Sequence, residues 1–368
     1  MDAIHSVNKL QVYYRQQLVG TIGRTPDNTR CTFEYANEWI ACGFSISPLE
    51  LPLRTGLFIA EPTPFYGNFG VFEDSLPDGY GRYLLHRMLQ KQGIDDLSLT
   101  PLQRLAIVGA SGMGALTYQP AIMPAQQYLL PELHTLQQMA IDILSEKTTE
   151  GVDTLYHNSG NSGGCRPKCL YRDEDGEWLV KFRHTYDPQD MGQQEYHYNQ
   201  LAMQCGLDVP ECKLLEGQYF ASKRFDLDTQ GKPLHVATAA ALLRESINPP
   251  KTDYKVLLAL TGFITQDPNA VEQLYRRMVF NVLIENKDDH AKNFSFIYRE
   301  GKWQLAPAYD LTRCSQGYNG EHATCVMGKG NPADSDMIAA AESIRISRCR
   351  AQEIIAEMRR TIEARGRA

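Results

Sequence analysis

The alternation of apolar and polar positions predicts short strands in three parts of the chain. LQVYYRQQLVGTIG (10–23) is β-branched and aromatic, with a turn between its two halves. CLYRDEDGEWLVKF (169–182) has the pattern of a hairpin, with two strands around a polar Asp-Gly turn. KLLEGQYFASKRFDL (213–227) predicts another pair of short strands.

Apolar residues at helical spacing predict helices between these segments. FGVFEDSLPDGYGRYLLHRMLQKQG (69–93) predicts a turn followed by a helix, and TPLQRLAIVGASGMGALTYQP (100–120) predicts a helical start, a glycine-rich break and a strand. LPELHTLQQMAIDILSEK (130–147) and QQEYHYNQLAMQCGL (193–207) predict two further helices. From about residue 235 onward the pattern is mostly helical.

These elements predict an α+β protein with three parts. Residues 1–120 form an N-terminal α+β module, residues 121–228 a β-rich lobe with one helix, and residues 229–368 a helical lobe. The Pro-rich passage at about 119–131 is the best candidate for a linker. The sequence contains no internal repeat and no low-complexity tract.

Composition narrows the class of protein. The chain has 368 residues, 43% hydrophobic residues and a formal net charge of −7, which is typical of a soluble globular protein without a broad basic face for nucleic acid. The start lacks the pattern of a secretory signal, and the longest apolar stretch, ATAAALL (237–243), is too short to span a bilayer. We therefore expect a cytoplasmic protein. Nine cysteines without a Cys-x-x-Cys pair predict reduced, mostly buried thiols rather than a zinc site.

Two glycine-rich segments suggest known sequence motifs but do not match them. GASGMGAL (109–116) has Met113 where a nucleophile elbow needs glycine, and it does not fit a dinucleotide fingerprint. NSGNSGGCRPK (158–168) has glycines and a lysine, but it fits no Walker loop. The first segment is best interpreted as tight backbone between packed elements.

One ordered set of polar residues points to phosphoryl transfer from ATP. A kinase-like site needs a loop whose amides hold phosphates, a lysine, a carboxylate partner, a catalytic carboxylate and metal ligands. The chain supplies these in order, as SGNSGG (159–164), Lys181, Glu195, Asp288 with Asn293, and Asp310.

Each member alone has an ordinary explanation: a plain loop, a solvated lysine, a solvated helix position or a helix cap. Their joint order and element types favour a single ATP site that holds Mg²⁺.

Three neighbours of Asp288 have different expected roles. His290 is expected to brace the loop from the core side. Lys292 is expected to screen negative charge that develops during the reaction, with a solvated lysine as the alternative. Asp289 is expected to be a solvated neighbour.

Several segments of the chain resemble those of the HipA family of serine/threonine kinase toxins. FEDSLPDGYGRYLL (72–85) and VGASGMGALTY (108–118) are similar to segments of the family's N-terminal module. GGCRPK (163–168) is similar to its phosphate-loop region, and DDHAKNFSF (288–296) and APAYDLT (306–312) resemble its two most diagnostic motifs. The resemblance covers most of the chain.

The resemblance implies a two-lobed protein-kinase-like fold and the use of ATP and Mg²⁺. It implies phosphorylation of a serine or threonine on a protein, which in the best-known members is glutamyl-tRNA synthetase, with growth arrest and persistence as the result. It also implies a cognate helix-turn-helix antitoxin, so that any role at DNA is indirect.

The resemblance also implies roles for individual residues. Asp288 is similar to the catalytic aspartate; Lys292 is predicted as a second catalytic residue from its expected screening of charge, not from the resemblance. Asn293 and Asp310 resemble the metal ligands, and Lys181 resembles the lysine that contacts the phosphates. The other predicted ATP-binding residues are Ser162, Gly163, Gly164, Lys168, Lys223, Phe225 and His290, with Asn293 shared with the metal.

Two departures from the family pattern limit this transfer. ASKRFD (221–226) has Lys223 where the family has an acidic residue beside the adenine. Family members often carry a phosphate-loop serine whose autophosphorylation silences the enzyme, and here Ser159 and Ser162 are both candidates without clear alignment.

Two rival functions stay open. One is a HipA-like scaffold that binds an antitoxin without catalysis, and the other is a kinase of a different protein or of a small molecule. Intact residues at 181, 288, 293 and 310 argue against the scaffold.

Overall fold

The chain forms two compact units. The structure, a computed structural model, describes residue 4 and residues 6–112, 114–122, 131–159 and 163–365. The first unit comprises Met1–Gly192 and Lys213–His235, and the second comprises Gln193–Cys212 and Val236–Ala368.

Strands and helices alternate through both units, so the α+β class is confirmed. The strands are β1 (Lys9–Tyr14), β2 (Gln17–Arg24), β3 (Cys31–Tyr35), β4 (Phe58–Ile59), β5 (Leu116–Gln119), β6 (Lys168–Asp173), β7 (Gly176–Lys181), β8 (Cys212–Leu215), β9 (Tyr219–Lys223), β10 (His235–Thr238), β11 (Ser295–Arg299) and β12 (Lys302–Leu305). The helices are α1 (Asn37–Cys42), α2 (Gly70–Glu73), α3 (Gly79–Lys91), α4 (Pro101–Val108), α5 (Leu133–Leu144), α6 (Val152–Ser159), α7 (Met191–Gln204), α8 (Ala239–Leu243), α9 (Tyr254–Thr265), α10 (Pro268–Leu283), α11 (Asp334–Ser343) and α12 (Arg348–Arg365).

The N-terminal sheet has the strand order β4-β3-β2-β1-β5. Leu10 and Val12 alternate with exposed residues along β1, which buries one face of the strand. Arg15 and Gln16 both have positive φ in the turn to β2, as a tight two-residue hairpin requires. The first predicted hairpin is therefore confirmed, and the predicted glycine-rich break lies between α4 and β5. Met113 lies outside the described residues.

The second sheet of the first unit has the order β6-β7-β9-β8. One face of this sheet contributes Trp178, Val180 and Ala221 to a hydrophobic core shared with α3, α5 and α6. The hairpin predicted at 169–182 is confirmed as β6 and β7. Most of the predicted linker, residues 123–130, lies outside the described residues.

The second unit is built on helices, as predicted. Its core is shared by α9, α10, α11 and α12, and it includes Tyr254, Met278 and Ile354. A small sheet of order β10-β11-β12 completes this unit. The hairpin β11–β12 lies between the two loops that carry the predicted catalytic and metal residues.

The burial of the cysteines differs from the prediction. Only Cys31, Cys169 and Cys205 are buried, and the other six cysteines are exposed or half-buried. The prediction of mostly buried thiols was therefore wrong, because several cysteines lie in surface loops and on helix faces. No helix within the described ranges combines the length and the apolar character needed to cross a membrane.

Candidate active site

The end of the predicted phosphate loop lies against the start of helix α3. The amide of Gly164 donates a hydrogen bond to Asp78 Oδ1 at 2.8 Å, and the amide of Tyr80 donates to the Gly164 carbonyl at 3.0 Å. The Lys168 ammonium donates to the Gly163 carbonyl. Thus Lys168, whose predicted role is ATP binding, is buried at 4% exposure and holds the loop backbone.

Only one of the two candidate autophosphorylation sites, Ser159, belongs to the described residues. Ser159 is the last residue of α6 and is 1% exposed, and its hydroxyl donates to the Tyr156 carbonyl at 3.1 Å. A kinase could reach this hydroxyl only after the end of the helix opened. Ser162 lies outside the described residues.

The predicted ATP-binding lysines do not all lie on the same face of the second sheet. Directly paired residues of an antiparallel sheet project from the same face. Lys181 pairs with Lys168 on β6 and with Phe220 on β9, so these three side chains share one face. The Lys181 ammonium lies 5.7 Å from the centre of the Phe220 ring.

Lys223 lies on the opposite face of the same sheet. It pairs with Trp178, and its ammonium is 5.5 Å from the centre of the indole ring, on the face that packs into the core of the unit. The structure therefore does not bring the Lys223 side chain together with Lys181. Alternation along the strand places Lys181 on the face opposite Trp178 and Val180, but the register between the two strands, which places Lys223 beside Trp178, is a tertiary property.

The segment after β9 is fixed by an ion pair that sequence reasoning missed. The Arg224 guanidinium makes two hydrogen bonds to the Asp226 carboxylate, at 3.0 and 2.6 Å, and the Arg224 amide donates to the Glu177 carbonyl at 2.9 Å. This paired geometry is the strong form of an Arg–carboxylate contact. Phe225, predicted beside the adenine, lies between these two residues and is half-buried.

Glu195 is buried at 4% exposure on α7. A carboxylate is seldom that buried without a partner, so the alternative of a solvated helix position was wrong for this residue.

The predicted catalytic loop, residues 288–293 of the second unit, brings Asp288 and Asn293 together. A short 3₁₀ helix, Ala291–Asn293, follows the acidic pair, and the Asn293 side-chain amide donates to the Asp288 carbonyl at 2.8 Å. This bond uses Nδ2 of Asn293, and the amide oxygen is the atom that can ligate a cation. The Asp288 side chain is 66% exposed, so its carboxylate is accessible.

His290 belongs to the same loop, and its role as a brace stays a prediction. Its Nε2 is 3.9 Å from Asp288 Oδ1. Its Nδ1 is buried and has no hydrogen-bond partner among the described residues. Lys292 is half-buried, and its carbonyl accepts a 2.8 Å hydrogen bond from the Tyr309 hydroxyl. Tyr309 directly precedes Asp310, so this bond joins the predicted catalytic loop to the predicted metal loop, residues 306–312.

Asp289 is fully buried, which corrects the prediction of a solvated neighbour. Its carboxylate accepts hydrogen bonds from the Tyr254 hydroxyl at 2.8 Å and from the Thr324 amide at 3.2 Å, and His322 Nδ1 lies 3.0 Å away. Burial and the neighbouring Asp289 charge raise the pKa of Tyr254 well above its ordinary value. Tyr254 therefore stays a neutral donor.

The same network continues to the metal loop. The Tyr254 hydroxyl accepts from Asn281 Nδ2 at 3.0 Å, and the Asn281 amide oxygen accepts from Asn286 Nδ2 at 3.0 Å. Asn286 Nδ2 also donates to the Asp310 carbonyl at 3.0 Å. Asp310 has a positive φ of 54°, a conformation that needs support from its surroundings. A chain of buried side chains thus connects Asp289 to the backbone of Asp310.

Arg277 supports the metal loop from the core. It is 2% exposed on α10, and its Nη2 donates to the Ala306 carbonyl at 2.8 Å. Burial lowers its pKa to about 10, which leaves the guanidinium charged at neutral pH. Its Nε and Nη1 are buried without hydrogen-bond partners in the described chain.

The oxygen atoms of Asn293 and Asp310 are chemically suited to Mg²⁺, which prefers hard oxygen ligands and usually takes only one or two carboxylates from a protein. No group of three or more His, Cys, Asp or Glu side chains within the described ranges could form a self-contained metal cage. Water molecules and the phosphate oxygens of a nucleotide are the ligands that usually complete an Mg²⁺ site of this kind.

Comparison with known proteins identifies the family. The model of the HipA-like C-terminal domain matches residues 160–365, and the model of the HipA N-terminal domain matches residues 10–119. These matches cover more than half of the chain, so the chain belongs to the HipA family.

Two curated proteins and one solved structure are similar to this chain. “Putative kinase Y4dM” of Sinorhizobium fredii is 31% identical over 156 residues, which is 37% of each chain. A “Putative kinase” of Haemophilus influenzae is 29% identical over 143 residues, 34% of this chain and 42% of that protein. The aligned regions thus span about two fifths of these relatives.

A chain in the solved complex of the Shewanella oneidensis toxin–antitoxin system HipA and HipB with operator DNA matches with a TM-score of 0.73 at 18% identity. The match covers 97% of this chain and 90% of that one. The predicted two-lobed, kinase-like HipA fold is confirmed.

Proposed function

We propose that this chain is an ATP- and Mg²⁺-dependent serine/threonine protein kinase, and that it is the toxin of a toxin–antitoxin pair. The main support is the linkage of the catalytic loop to the metal loop. Asn293 contacts Asp288, and two sets of hydrogen bonds tie this loop to the segment that carries Asp310. Such rigid positioning of acid and amide groups is what phosphoryl transfer requires of a protein.

Each group then has a role in the proposed reaction. The exposed Asp288 carboxylate orients the attacking hydroxyl and accepts its proton. Asn293 and Asp310 would hold Mg²⁺, which when bound neutralises charge on the phosphates. Lys181, on the sheet face that also carries Lys168, pairs with phosphate oxygens. Lys292 and His290 flank the acid and hold the loop.

The partners follow from the same proposal. The solved Shewanella complex contains HipA, HipB and operator DNA, which supports a helix-turn-helix antitoxin as a partner here and DNA as an indirect one. A net charge of −7 agrees with the antitoxin supplying the basic surface. We propose a translation protein such as an aminoacyl-tRNA synthetase as the substrate.

The test is a labelling assay with the full chain, labelled ATP, Mg²⁺ and a bacterial lysate. We expect label on a lysate protein, and we expect Asp288→Ala to reduce it by roughly 10²-fold or more because the general base is lost. Chelation of Mg²⁺ with EDTA should also remove the label. Glu363→Ala, at an exposed position of the last helix, is the matched control and should label like the wild type.

Two results would contradict the proposal. Equal labelling by wild type and Asp288→Ala would exclude the assigned base. Folded protein that labels neither a lysate protein nor itself would favour the scaffold function. Identification of the labelled band by mass spectrometry then tests the substrate class.

A further inference from the structure

Helix α3 begins with an aspartate that does not cap its own helix. An aspartate at the residue before a helix usually accepts a hydrogen bond from an amide of the first turn. Asp78 occupies this position, but its side chain makes no such bond. Its Oδ1 accepts from the amide of Gly164 instead, a residue 86 positions further along the chain.

The contact is reciprocal. The amide of Tyr80, which belongs to the first turn of α3, donates to the carbonyl of Gly164 at 3.0 Å. The backbone of Gly164 therefore has both its donor and its acceptor satisfied by the start of this helix. The carbonyl of Gly164 in turn satisfies one of the amides that every helix leaves unpaired at its first turn.

The contact requires glycine on the helix side and leaves little room on the loop side. A Cβ atom on Gly79 would lie 2.3 Å from the Gly164 carbonyl oxygen, and Gly79 has a φ of 46°. A Cβ atom on Gly163 would lie 3.2 Å from Asp78 Oδ1. On the other side Lys168 donates to the Gly163 carbonyl. The loop end is thus held between α3 and β6.

We propose that Asp78 is a positioning residue for nucleotide binding, through which the N-terminal module fixes the backbone of Gly163 and Gly164 at the end of the predicted phosphate loop. This inference rests on the proposed function, because it assigns the loop to ATP phosphates. A backbone segment that is already fixed loses less entropy when neighbouring groups bind phosphate. In this arrangement the Gly164 amide anchors the loop and does not contact phosphate, which revises the ATP-binding role predicted for that residue.

The test compares Mg-ATP binding to four full-length proteins by calorimetry. Asp78→Ala removes the acceptor, and we expect about tenfold weaker binding, as for the loss of one hydrogen bond to a charged group. Asp78→Asn keeps an oxygen that can accept from the Gly164 amide, so its affinity should stay within about threefold of the wild type. Glu61→Gln removes one charge at an exposed position of the same module and should bind like the wild type.

Hydrogen exchange without nucleotide provides a second measurement. The peptide that contains Gly164 should exchange faster in Asp78→Ala than in the wild type and in Asp78→Asn, while the rest of α3 stays protected. Exchange that is unchanged in Asp78→Ala would show that the contact does not hold the loop, and would overturn the inference.

The outcomes separate this inference from the proposed function. If the wild type binds Mg-ATP and folded Asp78→Ala binds it equally well, only the role of Asp78 is wrong. Tighter binding by Asp78→Ala would also overturn it, since the carboxylate would then be repelling phosphate. If the wild type does not bind Mg-ATP, the proposed function fails and the inference fails with it.

Discussion

At the scale of single residues, neighbouring side chains with the same chemistry have opposite environments. The Asp288 side chain is 66% exposed, whereas Asp289 is fully buried and contacts Tyr254, His322 and Thr324. A buried carboxylate without hydrogen bonds would cost several kcal/mol, so these contacts are what permit its position.

Tyr254→Phe tests this network. The change removes a hydroxyl that donates to Asp289 and accepts from Asn281, which leaves two buried polar groups with one partner fewer. We expect the free energy of unfolding to fall by about 1–3 kcal/mol, measured by urea denaturation. Labelling activity should fall as well, because the same hydroxyl lies between the catalytic and metal loops.

Tyr66→Phe is the control for Tyr254→Phe, since Tyr66 is 87% exposed. Its stability should match that of the wild type. If Tyr254→Phe were equally neutral, the buried network would contribute nothing to the position of the loops.

At the scale of elements, packing against one carbonyl fixes the start of helix α7. A Cβ atom on Gly192 would lie 1.9 Å from the carbonyl oxygen of Gln218, in the turn before β9. The helix therefore approaches that turn closely only because residue 192 has no side chain. Three residues further along the helix is Glu195, the predicted partner of Lys181.

Gly192→Ala should displace the start of α7. We expect a loss of stability of about 1–3 kcal/mol from overpacking against rigid backbone, seen as a lower Tm, together with weaker Mg-ATP binding if Glu195 acts as predicted. Gly114→Ala is the matched control, since a Cβ atom there meets nothing within 4 Å. If Gly192→Ala changed neither the Tm nor the affinity for Mg-ATP, the start of the helix would be free to shift.

At the scale of the whole molecule, residues far apart in sequence close the first unit. His235 is fully buried and its Nε2 lies 2.8 Å from the carbonyl of Ile46, 189 positions away. Arg15 pairs with Asp228 at 2.7 Å in the same unit. The N-terminal module and the segment after β9 are therefore parts of one folded body.

His235 makes stability depend on pH. Burial lowers its pKa to about 4 from an ordinary value of 6.5, so between these values the unfolded chain binds a proton that the folded chain does not. Stability therefore falls as pH decreases from 6.5 to 4, by about 3 kcal/mol in total. Between pH 7 and 5, the wild type should lose about 2 kcal/mol more than His235→Gln, measured by urea unfolding.

His134→Gln, at an exposed position of α5, is the control for His235→Gln and should keep the pH dependence of the wild type. Identical pH dependence in the His235 variant and the wild type would mean that residue 235 is not buried as a neutral imidazole.

Part of the fold and the set of candidate residues could be predicted from the sequence. The hairpins at β1–β2 and β6–β7 follow from alternation and turn residues, which are local properties. The face on which Lys223 lies could not be predicted, because it depends on the register between β7 and β9, which are distant in sequence. The bond between Asp78 and Gly164 could not be predicted, because the two residues are brought together only by folding.

The sequence by itself determined the family, the order of the motifs and the type of most elements, since these depend on residue identity, spacing and short-range periodicity. Only the tertiary structure decided that Asp289 is buried while Asp288 is exposed, that Lys223 and Lys181 lie on opposite faces of a sheet, and that Asp78 accepts a hydrogen bond from the distant Gly164. These outcomes depend on which distant groups can satisfy a buried charge or an unpaired amide. That depends on contacts between residues far apart in the sequence.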